Sequence, residues 1–481
     1  MNPATSPLLT DLYQLTMAAA AWHAGVAEQE SVFHLFFRRE PFDGGYAIAA
    51  GLGPALDWLE SFHFSPEDIA YLTTLKAGNG GPLFAAGFLD YLATMKLELK
   101  IEAVAEGSVV FAHEPLLRVT GPLVQAQIVE TALLNFINFQ TLIATKTARI
   151  CESAAGAPVI EFGLRRAQGP DGGLLASRAA YLGGCTATSN VVAGQVYGIP
   201  VKGTHAHSWV MAFDTEEEAF DRYVEAMPDN SILLVDTYDT LEGVANAIKA
   251  GKKLVARGHR LDGIRLDSGD LAWLSIEARK LLDAAGFTDA KIVASNDLDE
   301  HVIESLRHQG ARIDIWGIGT QMVTGGSQPA LGGVYKLGAI RGVDGEWKPR
   351  FKRSEQSAKA SVPGILQVRR YEMDGRLVAD AIYDETRRLP EDVVVIDPAD
   401  PLRRKHVPED VFYTDLLKPV MRGGRRTLPA ESLEKIRERV KKQLASLDPA
   451  VKRLVNPHAY PAGLEGTLAA RRDELNRRKT R

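Results

Sequence analysis

The chain has 481 residues, of which 45% are hydrophobic and 24% are charged, and its formal net charge is −5 at pH 7. This length exceeds what one hydrophobic core usually serves, so we expect two or three domains. A small net charge spread along the chain argues against a general nucleic-acid-binding protein. The two cysteines, Cys151 and Cys185, cannot build a disulfide framework or a four-thiolate zinc site, and they fit a reducing cytoplasm.

The N-terminal segment lacks the features of a secretion signal. Its most apolar run, residues 17–22, has no basic residue before it and is followed by His23 and Glu28. No stretch reaches the roughly 20 apolar residues that we expect of a membrane helix. The sequence therefore predicts a soluble, cytoplasmic protein without a membrane partner.

Residues 1–150 are predicted to form an N-terminal α+β domain. Thr10 can cap a helix that begins near Asp11, and residues 31–37 form a β-rich run. Apolar and polar residues alternate over residues 97–102, which indicates a further strand, and a long helical pattern follows from Val124 to about Cys151.

Between residues 151 and 340 the pattern changes to short apolar strands that alternate with amphipathic helices. The candidate strands are bounded by polar or glycine-containing turns and are separated by room for a helix. They are residues 158–162, 199–202, 232–236, 263–267, 291–294, 313–317 and, as a further candidate, 334–337. This α/β alternation is typical of a parallel sheet or barrel. With about seven strands, we predict an irregular (β/α) barrel-like domain, and an open doubly wound sheet is the alternative.

Residues 341–481 are predicted to form a C-terminal extension that packs back on the N-terminal domain. The region begins with the basic, turn-rich segment Arg341-Gly-Val-Asp-Gly-Glu-Trp-Lys-Pro349. A helical pattern of apolar residues follows near Leu433.

Six of the predicted strands are followed by polar or small residues. Because the carboxyl ends of parallel strands meet at one edge of a sheet, we expect these residues to form one polar rim. The segments are Glu161-Phe-Gly-Leu-Arg-Arg166, Gly203-Thr-His-Ala-His207, Val235-Asp-Thr-Tyr-Asp239, Arg265-Leu-Asp-Ser-Gly-Asp270, Ala294-Ser-Asn-Asp297 and Gly317-Ile-Gly-Thr320. A helix cap or a turn explains a single polar strand end, but it explains six in succession poorly.

The residue types of this rim indicate the ligand. Guanidinium groups bind carboxylate or phosphate through paired hydrogen bonds. The rim carries three arginines, Arg165, Arg166 and Arg265. The glycines before Thr320 can expose backbone N–H groups to a phosphate. Asp267 and Asp270 would repel phosphate and therefore suit sugar hydroxyls or Mg²⁺. The inferred ligand is a phosphorylated sugar.

His207 is the candidate nucleophile or acid–base group. An imidazole is substantially neutral at cytoplasmic pH, and a neutral ring nitrogen can attack phosphorus. A lone histidine at a strand end is more often a structural residue. Here the flanking Gly203 and Thr204, together with the five other rim segments, favour a functional role.

These ordered motifs resemble those of nicotinate phosphoribosyltransferases. The resemblance runs from Thr10-Asp-Leu-Tyr-Gln-Leu-Thr-Met17 through the rim segments to Leu331-Gly-Gly-Val-Tyr-Lys336, and it is weak beyond about residue 340. It implies that the protein forms nicotinate mononucleotide and pyrophosphate from nicotinate and 5-phospho-α-D-ribose 1-diphosphate. It also implies that ATP hydrolysis is coupled to this reaction through a phosphorylated histidine, in the first step of NAD salvage from nicotinate.

The resemblance also implies roles for single residues. His207, and not His205, matches the phosphohistidine. Phe162 and Tyr13 are expected to sandwich the pyridine ring, with Tyr13 coming from the partner subunit of a homodimer with shared active sites. Thr204 and Arg265 are expected at the nicotinate pocket.

The other residues matched by the resemblance are expected around the sugar and its phosphates. Three are expected at the phosphate of the phosphoribosyl group: Gly317, Gly319 and Thr320. Three more are expected elsewhere in the substrate site: Asp267, Ser295 and Asn296. Arg165 is expected to face either the diphosphate or the nicotinate carboxylate. Mg²⁺ is expected to enter with the diphosphate, with Asp267 or Asp270 as its candidate protein contact.

One position bears on substrate choice. Relatives that use nicotinamide carry Asp where this chain, aligned on Val192-Ala-Gly194, has Asn190. A carboxylate there can accept a hydrogen bond from an amide, but it would repel nicotinate. Asn190 therefore favours the acid, and a nicotinamide-using transferase is the alternative within the family.

Two other classes of protein fit parts of the sequence. His205-Ala-His207 is also the HxH pair of metal-dependent hydrolases on barrels, although those proteins carry the pair after the first strand and add histidines after later strands. A non-catalytic sensor of sugar phosphates is the third alternative. The segment Leu233-Leu-Val-Asp-Thr-Tyr-Asp239 resembles the acidic diphosphate-binding motif of another transferase fold, but its acids are not adjacent and no glycine-rich loop follows.

Overall fold

The computed structural model describes residues 5–352 and 361–477. Its internal contacts divide the chain into two compact units. Unit 1 combines the residues up to Leu142 with those from Ala330 onward, and unit 2 comprises Ile143–Pro329. The unit boundaries therefore lie before residues 150 and 340, where the sequence pattern placed the domain boundaries.

The helices are α1 (Leu12–His23), α2 (Leu52–Glu60), α3 (Pro66–Thr74), α4 (Ala86–Thr94), α5 (Leu123–Ile128), α6 (Glu130–Ser153), α7 (Gly169–Gly183), α8 (Val191–Tyr197), α9 (His207–Val210), α10 (Glu216–Ala226), α11 (Thr240–Ala256), α12 (Leu271–Ala284), α13 (Glu300–His308), α14 (Thr320–Val323), α15 (Leu433–Ser446) and α16 (Gly466–Arg477). The strands are β1 (Glu30–Phe37), β2 (Ala47–Ile48), β3 (Lys100–Ala103), β4 (Val109–Val110), β5 (Leu117–Pro122), β6 (Val159–Glu161), β7 (Ala187–Thr188), β8 (Ile232–Leu234), β9 (Gly263–Leu266), β10 (Lys291–Ala294), β11 (Ile315–Ile318), β12 (Gly333–Arg341), β13 (Trp347–Pro349), β14 (Leu366–Met373), β15 (Arg376–Asp384), β16 (Val394–Ile396), β17 (Arg404–His406), β18 (Phe412–Asp415), β19 (Lys418–Arg422), β20 (Arg425–Arg426) and β21 (Ala462–Glu465).

Unit 1 contains a seven-stranded sheet built from both ends of the chain. Its strand order is β13-β12-β1-β5-β3-β19-β20, and β1 pairs antiparallel with both β5 and β12. The candidate strand at residues 334–337 lies within β12, so its prediction as part of the parallel sheet is wrong. A short apolar strand pattern does not reveal the direction of its partner, which explains the error.

The second large sheet of unit 1 is formed entirely by residues after 360. Its order is β17-β16-β21-β15-β14-β18. At its centre Arg370 and Asp380 form a fully buried ion pair, with Nη2 2.5 Å from Oδ2. The hydroxyl of Tyr460 donates to Asp380 Oδ1 at 3.0 Å, so this buried charge pair has additional hydrogen-bond partners.

Unit 2 is built on a six-stranded sheet in the order β7-β6-β11-β10-β9-β8. Every recorded pair in it is parallel, and helices α10 to α13 connect or follow its strands. The strands carry runs of fully buried apolar residues, such as Leu233 in β8 and Ile264 in β9, which pack against the helices in one core. The predicted α/β class is confirmed, and five of the predicted strands correspond to β6, β8, β9, β10 and β11.

The sheet of unit 2 extends irregularly beyond β7. The predicted strand at residues 199–202 is reduced to one parallel bridge between Thr188 and Val201, and β7 itself has no counterpart among the predicted strands. Within the described residues, no strand pairing joins Val201 to β8. Instead, Nε2 of His205 accepts a hydrogen bond from the backbone N–H of Leu234 at 3.2 Å. A histidine side chain thus links the segment after Val201 to β8, where a regular barrel would have a strand pair.

One described helical stretch, Leu123–Ser153, is long and apolar enough to cross a membrane by length and composition alone, contrary to our expectation. However, 67% of its most apolar window is buried inside the protein. Toward its end, Lys146 Nζ lies 2.7 Å from Glu300 Oε2 and Arg149 Nε lies 3.0 Å from Glu300 Oε1. Its burial and these ion pairs indicate that this stretch is a helix of the protein core.

Candidate functional site

The carboxyl ends of the parallel strands in unit 2 border two adjoining clefts. The first, which we call the Asn296 cleft, has a volume of about 220 Å³. Its lining residues are Phe162, Arg165, Arg166, Arg265, Asp267, Ser295, Asn296, Asp297, Gly317, Gly319 and Thr320. The second, the His207 cleft, has a volume of about 390 Å³. Its lining residues are Phe162, Leu164, Arg165, Ser189, Gly203, Thr204, His205, Ala206, His207, Arg265 and Asp267. The structure therefore brings most of the predicted rim residues together.

Arg265 lies at the junction of the two clefts, and its guanidinium is held by three neighbours. Nε donates to Ser295 Oγ at 2.9 Å, Nη1 donates to Thr204 Oγ1 at 2.9 Å, and Nη2 donates to Asp267 Oδ1 at 3.2 Å. The guanidinium carbon lies 5.8 Å from the centroid of the Phe162 ring. A cation fixed beside an aromatic face suits a planar anion.

Asp267 is a carboxylate next to the guanidinium of Arg265. Burial by itself would raise the pKa of Asp267, but the hydrogen bond from Ser295 and the nearby Arg265 guanidinium outweigh it, so the pKa lies below its ordinary value. Ser295 Oγ donates to the same oxygen, Oδ1, that accepts from Arg265. Asp267 is thus ionised and oriented before any ligand binds.

Phe162 owes its position to two glycines of the Gly317-Ile-Gly-Thr320 segment. Its backbone N–H donates to Ile318 O at 2.7 Å, which continues the strand pairing. A Cβ atom on Gly317 would come within 2.5 Å of the Phe162 ring, so only glycine leaves room for the ring there. A Cβ atom on Gly319 would lie 3.3 Å from Phe162 O. The segment then turns into α14 at Thr320.

His207 begins α9 and is half-buried at the edge of its cleft. Nδ1 lies 3.1 Å from Thr237 Oγ1. Nε2 lies 3.6 Å from Asp267 Oδ2 and 4.0 Å from Asp236 Oδ1. The imidazole therefore faces a hydroxyl on one side and two carboxylates on the other.

His205 has a different environment, although it is only two residues away. Burial, with a smaller contribution from Arg265, lowers the pKa of His205 to about 4, so the ring is neutral. Because Nε2 accepts from Leu234 N–H, the proton is on Nδ1, which faces Ala206 O at 3.4 Å. Both ring nitrogens of His205 are engaged by the backbone, and the pair His205 and His207 does not present two free nitrogens to one point. This geometry disfavours the HxH hydrolase alternative.

Asn190 lies in a buried hydrogen-bond network next to the clefts. Its Oδ1 accepts from Ala193 N–H at 3.2 Å, and its Nδ2 donates to Ser177 Oγ at 3.1 Å and to Gly173 O at 3.4 Å. Ser177 Oγ in turn lies 2.9 Å from Oε2 of the buried Glu161. The lining of the two clefts, as far as the chain is described, does not include Asn190.

Asn296 has an unusual backbone conformation at the mouth of its cleft. Its φ angle is +126°, a region that residues other than glycine rarely adopt. Its O accepts from Leu298 N–H at 2.7 Å. Such strain is found most often at binding and catalytic sites, which agrees with the predicted role of this residue in substrate binding.

Besides Asn190, two further predicted site residues are not part of these clefts. Asp270 caps α12, where its Oδ1 accepts from Trp273 N–H at 3.0 Å. Tyr13 belongs to α1 in unit 1 and is half exposed, so its expected place in a partner subunit's site stays a prediction. Conversely, Ser189 lines the His207 cleft but lies outside every predicted rim segment. Ser189 directly follows β7, and the failure to predict this strand explains the omission.

The donor set fits Mg²⁺ only as an ion that arrives with phosphate groups. Among the described residues there is no cluster of three or more His, Cys, Asp or Glu side chains able to hold a metal. Asp267 lines both clefts with Oδ2 turned toward His207. Mg²⁺ commonly takes one or two carboxylates together with substrate phosphates and water, so Asp267 alone is a sufficient protein contact. Asp270, as a helix cap, is the weaker of the two candidates.

Comparisons with known proteins agree along the described chain. Residues 8–138 match the model of the nicotinate phosphoribosyltransferase N-terminal domain, residues 158–361 match the nicotinate phosphoribosyltransferase family, and residues 367–471 match its C-terminal domain. The chain is 44% identical over 466 residues to the nicotinate phosphoribosyltransferase of Bacillus subtilis (strain 168), covering 95% of this chain and 92% of that relative. It is 34% identical to the human nicotinate phosphoribosyltransferase, covering 97% of this chain and 96% of that relative.

The fold comparison gives the same result. The crystal structure of human nicotinic acid phosphoribosyltransferase superposes with a TM-score of 0.83 at 32% identity, covering 97% of this chain and 99% of that chain. A nicotinate-nucleotide pyrophosphorylase from Pyrococcus furiosus has the same fold at a TM-score of 0.71 and 22% identity. On this evidence the chain belongs to the nicotinate phosphoribosyltransferase family.

Proposed function

We propose that this protein is an ATP-dependent nicotinate phosphoribosyltransferase of the cytoplasm. It would join nicotinate to the phosphoribosyl group of 5-phospho-α-D-ribose 1-diphosphate, in the first step of NAD salvage from nicotinate. The observation that carries the proposal is the position of Arg265. Its guanidinium is held by hydrogen bonds beside the Phe162 ring, at the point where two clefts of different chemistry meet. The names of the bacterial and human relatives support the same reaction.

The two clefts suit the two substrates. Nicotinate is a flat anion, and it would lie on the Phe162 ring with its carboxylate near Arg265 and Thr204. The phosphoribosyl group would occupy the Asn296 cleft, with its phosphate at the Gly317–Thr320 segment. Arg165 lines both clefts and is exposed, so it can neutralise the diphosphate as the two substrates meet.

The reaction needs one bond formed and one broken at the anomeric carbon. The ring nitrogen of nicotinate forms a bond to C1 of the ribose, while the C1–O bond to the diphosphate breaks and pyrophosphate leaves with the electron pair. Positive charge develops on the sugar and negative charge on the leaving group. The exposed Arg165 and Arg166 would stabilise the leaving charge, and bound Mg²⁺ would neutralise the diphosphate further.

His207 would couple ATP hydrolysis to this reaction. A neutral ring nitrogen of His207 attacks the γ-phosphorus of ATP, so that an N–P bond forms, the bridging P–O bond breaks and ADP leaves. Water later attacks the phosphohistidine, and inorganic phosphate is released. Thr237 and Asp267 border the imidazole and would hold it during this cycle. The active enzyme would be a homodimer in which Tyr13 of the partner subunit covers the pyridine ring.

The coupling is tested by His207→Ala, with His308→Ala, an exposed histidine of α13, as the matched control. We expect His207→Ala to lose the stimulation by ATP while slow synthesis without ATP persists, because both substrates are still bound and aligned. The control should retain the full stimulation. ATP stimulation of equal size in His207→Ala and the unaltered protein would contradict the assigned role of His207.

A further inference from the structure

Asp236 is a buried carboxylate beside His207 that the reaction outlined above does not use. It follows β8, and its side chain is 1% exposed. Oδ2 accepts from the backbone N–H of Asp267 at 2.8 Å and from Ser268 Oγ at 2.6 Å. Oδ1, by contrast, has no hydrogen-bond partner among the described residues, although it is buried.

The free oxygen of Asp236 faces His207. Its distance to His207 Nε2 is 4.0 Å, about 1 Å longer than a hydrogen bond. A buried carboxylate oxygen without a donor is costly, so a nearby N–H is expected to turn toward it. Two hydrogen bonds fix Asp236, whereas the side chain of His207 is 38% exposed and is the group free to move.

Two other polar groups lie against the imidazole, and both are compatible with this arrangement. Thr237 Oγ1 lies 3.1 Å from Nδ1 and can donate its hydroxyl proton there. Asp267 Oδ2 lies closer to Nε2, at 3.6 Å, but the side chain of Asp267 is 26% exposed, so water can also donate to this oxygen. Asp236 Oδ1 is buried and has no other donor among the described residues. With Nε2–H directed at the carboxylates and Nδ1 accepting from Thr237, every polar atom of the ring has a partner.

We propose that Asp236 is a positioning residue for His207. In this arrangement Asp236 Oδ1 accepts a hydrogen bond from Nε2–H, and Thr237 donates to Nδ1, so that one tautomer and one ring orientation are selected before phosphoryl transfer. The inference rests on the proposed ATP coupling for its consequence, while the tautomer follows from the contacts alone. It also gives a function to the Leu233–Asp239 segment that differs from binding a diphosphate.

The isosteric variant Asp236→Asn tests this role. Its amide oxygen can still accept from Ser268 and from Asp267 N–H, but its NH₂ group then faces His207 with a donor in place of an acceptor. We expect phosphorylation of His207 by radiolabelled ATP to slow at least about tenfold, with a change of less than about twofold in the KM for ATP. The matched control is Asp229→Asn, the same isosteric change at an aspartate whose side chain is 83% exposed, and it should keep the phosphorylation rate within about twofold.

A second measurement does not depend on the variant's stability. In protein labelled with ¹⁵N-histidine, the imidazole of His207, assigned with His207→Ala, should show the proton on Nε2 in its neutral state. A proton on Nδ1 in the unaltered protein, or an unchanged phosphorylation rate in folded Asp236→Asn, would overturn the inference. If the unaltered protein is not phosphorylated at all, the ATP-coupling proposal fails, and the ¹⁵N spectrum alone decides the role of Asp236.

Discussion

The burial of His205 predicts how the free energy of unfolding depends on pH. Burial lowers its pKa from 6.5 to about 4 in the folded protein, so below pH 6.5 the unfolded chain binds a proton that the folded chain does not. The stabilisation is therefore complete above pH 6.5 and is lost as the pH falls toward 4. Linkage gives a loss of about 2 kcal/mol at pH 5.0 and about 3 kcal/mol in the acid limit from this one residue.

The measurement is a comparison of His205→Gln with the unaltered protein by urea unfolding at pH 7.5 and pH 5.0. Other titrating groups, including the buried His34 and His113, are common to both proteins and cancel in the difference. Because only the unaltered protein loses the contribution of His205, the stability gap between the two proteins should shrink by about 2 kcal/mol at pH 5.0. A gap that stays constant within about 0.5 kcal/mol would refute the claim that His205 is buried as a neutral acceptor for Leu234 N–H.

Three further variants probe the site and the elements that support it. Arg265→Lys loses the planar guanidinium that contacts three side chains, so the KM for nicotinate should rise at least tenfold. In the same assay the control Arg260→Lys, at an exposed arginine, should leave this KM unchanged. Asn190→Asp places a second carboxylate in a buried network, so the melting temperature should fall and the ratio of kcat/KM for nicotinate to that for nicotinamide should decrease; an unchanged ratio would contradict its role in substrate choice. In Gly243→Ala, the new Cβ would lie 2.0 Å from Val235 O, so thermal unfolding should show a destabilisation of about 1–3 kcal/mol, and a neutral effect would mean that α11 can move away from β8.

The sequence predicted the strands that bear the site because their pattern is local. Leu233, Ile264 and Ile292 are apolar, buried and followed by polar turns, and this signal requires no knowledge of neighbours in space. Two failures have separate physical causes. The strand β7 is too short to produce a periodic pattern, and the antiparallel pairing of β12 with β1 depends on a partner about 300 residues away in the chain.

The sequence predicted which residues form the site better than it predicted the contacts between them. A strand-end position indicates that Asp236 and Asp267 share an edge of the sheet. Only the structure shows that one oxygen of Asp236 has no donor among the residues it describes. Similarly, Asn190 directly precedes α8, which suggests a helix cap, and its connection through Ser177 to Glu161 could not be read from the spacing. Hydrogen-bond networks between distant segments are a property of the packed fold.

The most direct test of the proposed reaction is an assay of the purified protein with 5-phospho-α-D-ribose 1-diphosphate, Mg²⁺ and one of three acceptors, each with and without ATP. With nicotinate, we expect nicotinate mononucleotide and pyrophosphate in equal amounts and a higher rate when ATP is present. Nicotinamide and quinolinate should give much less product under the same conditions. The account would be contradicted by a failure to form nicotinate mononucleotide, or by a preference for either of the other two acceptors.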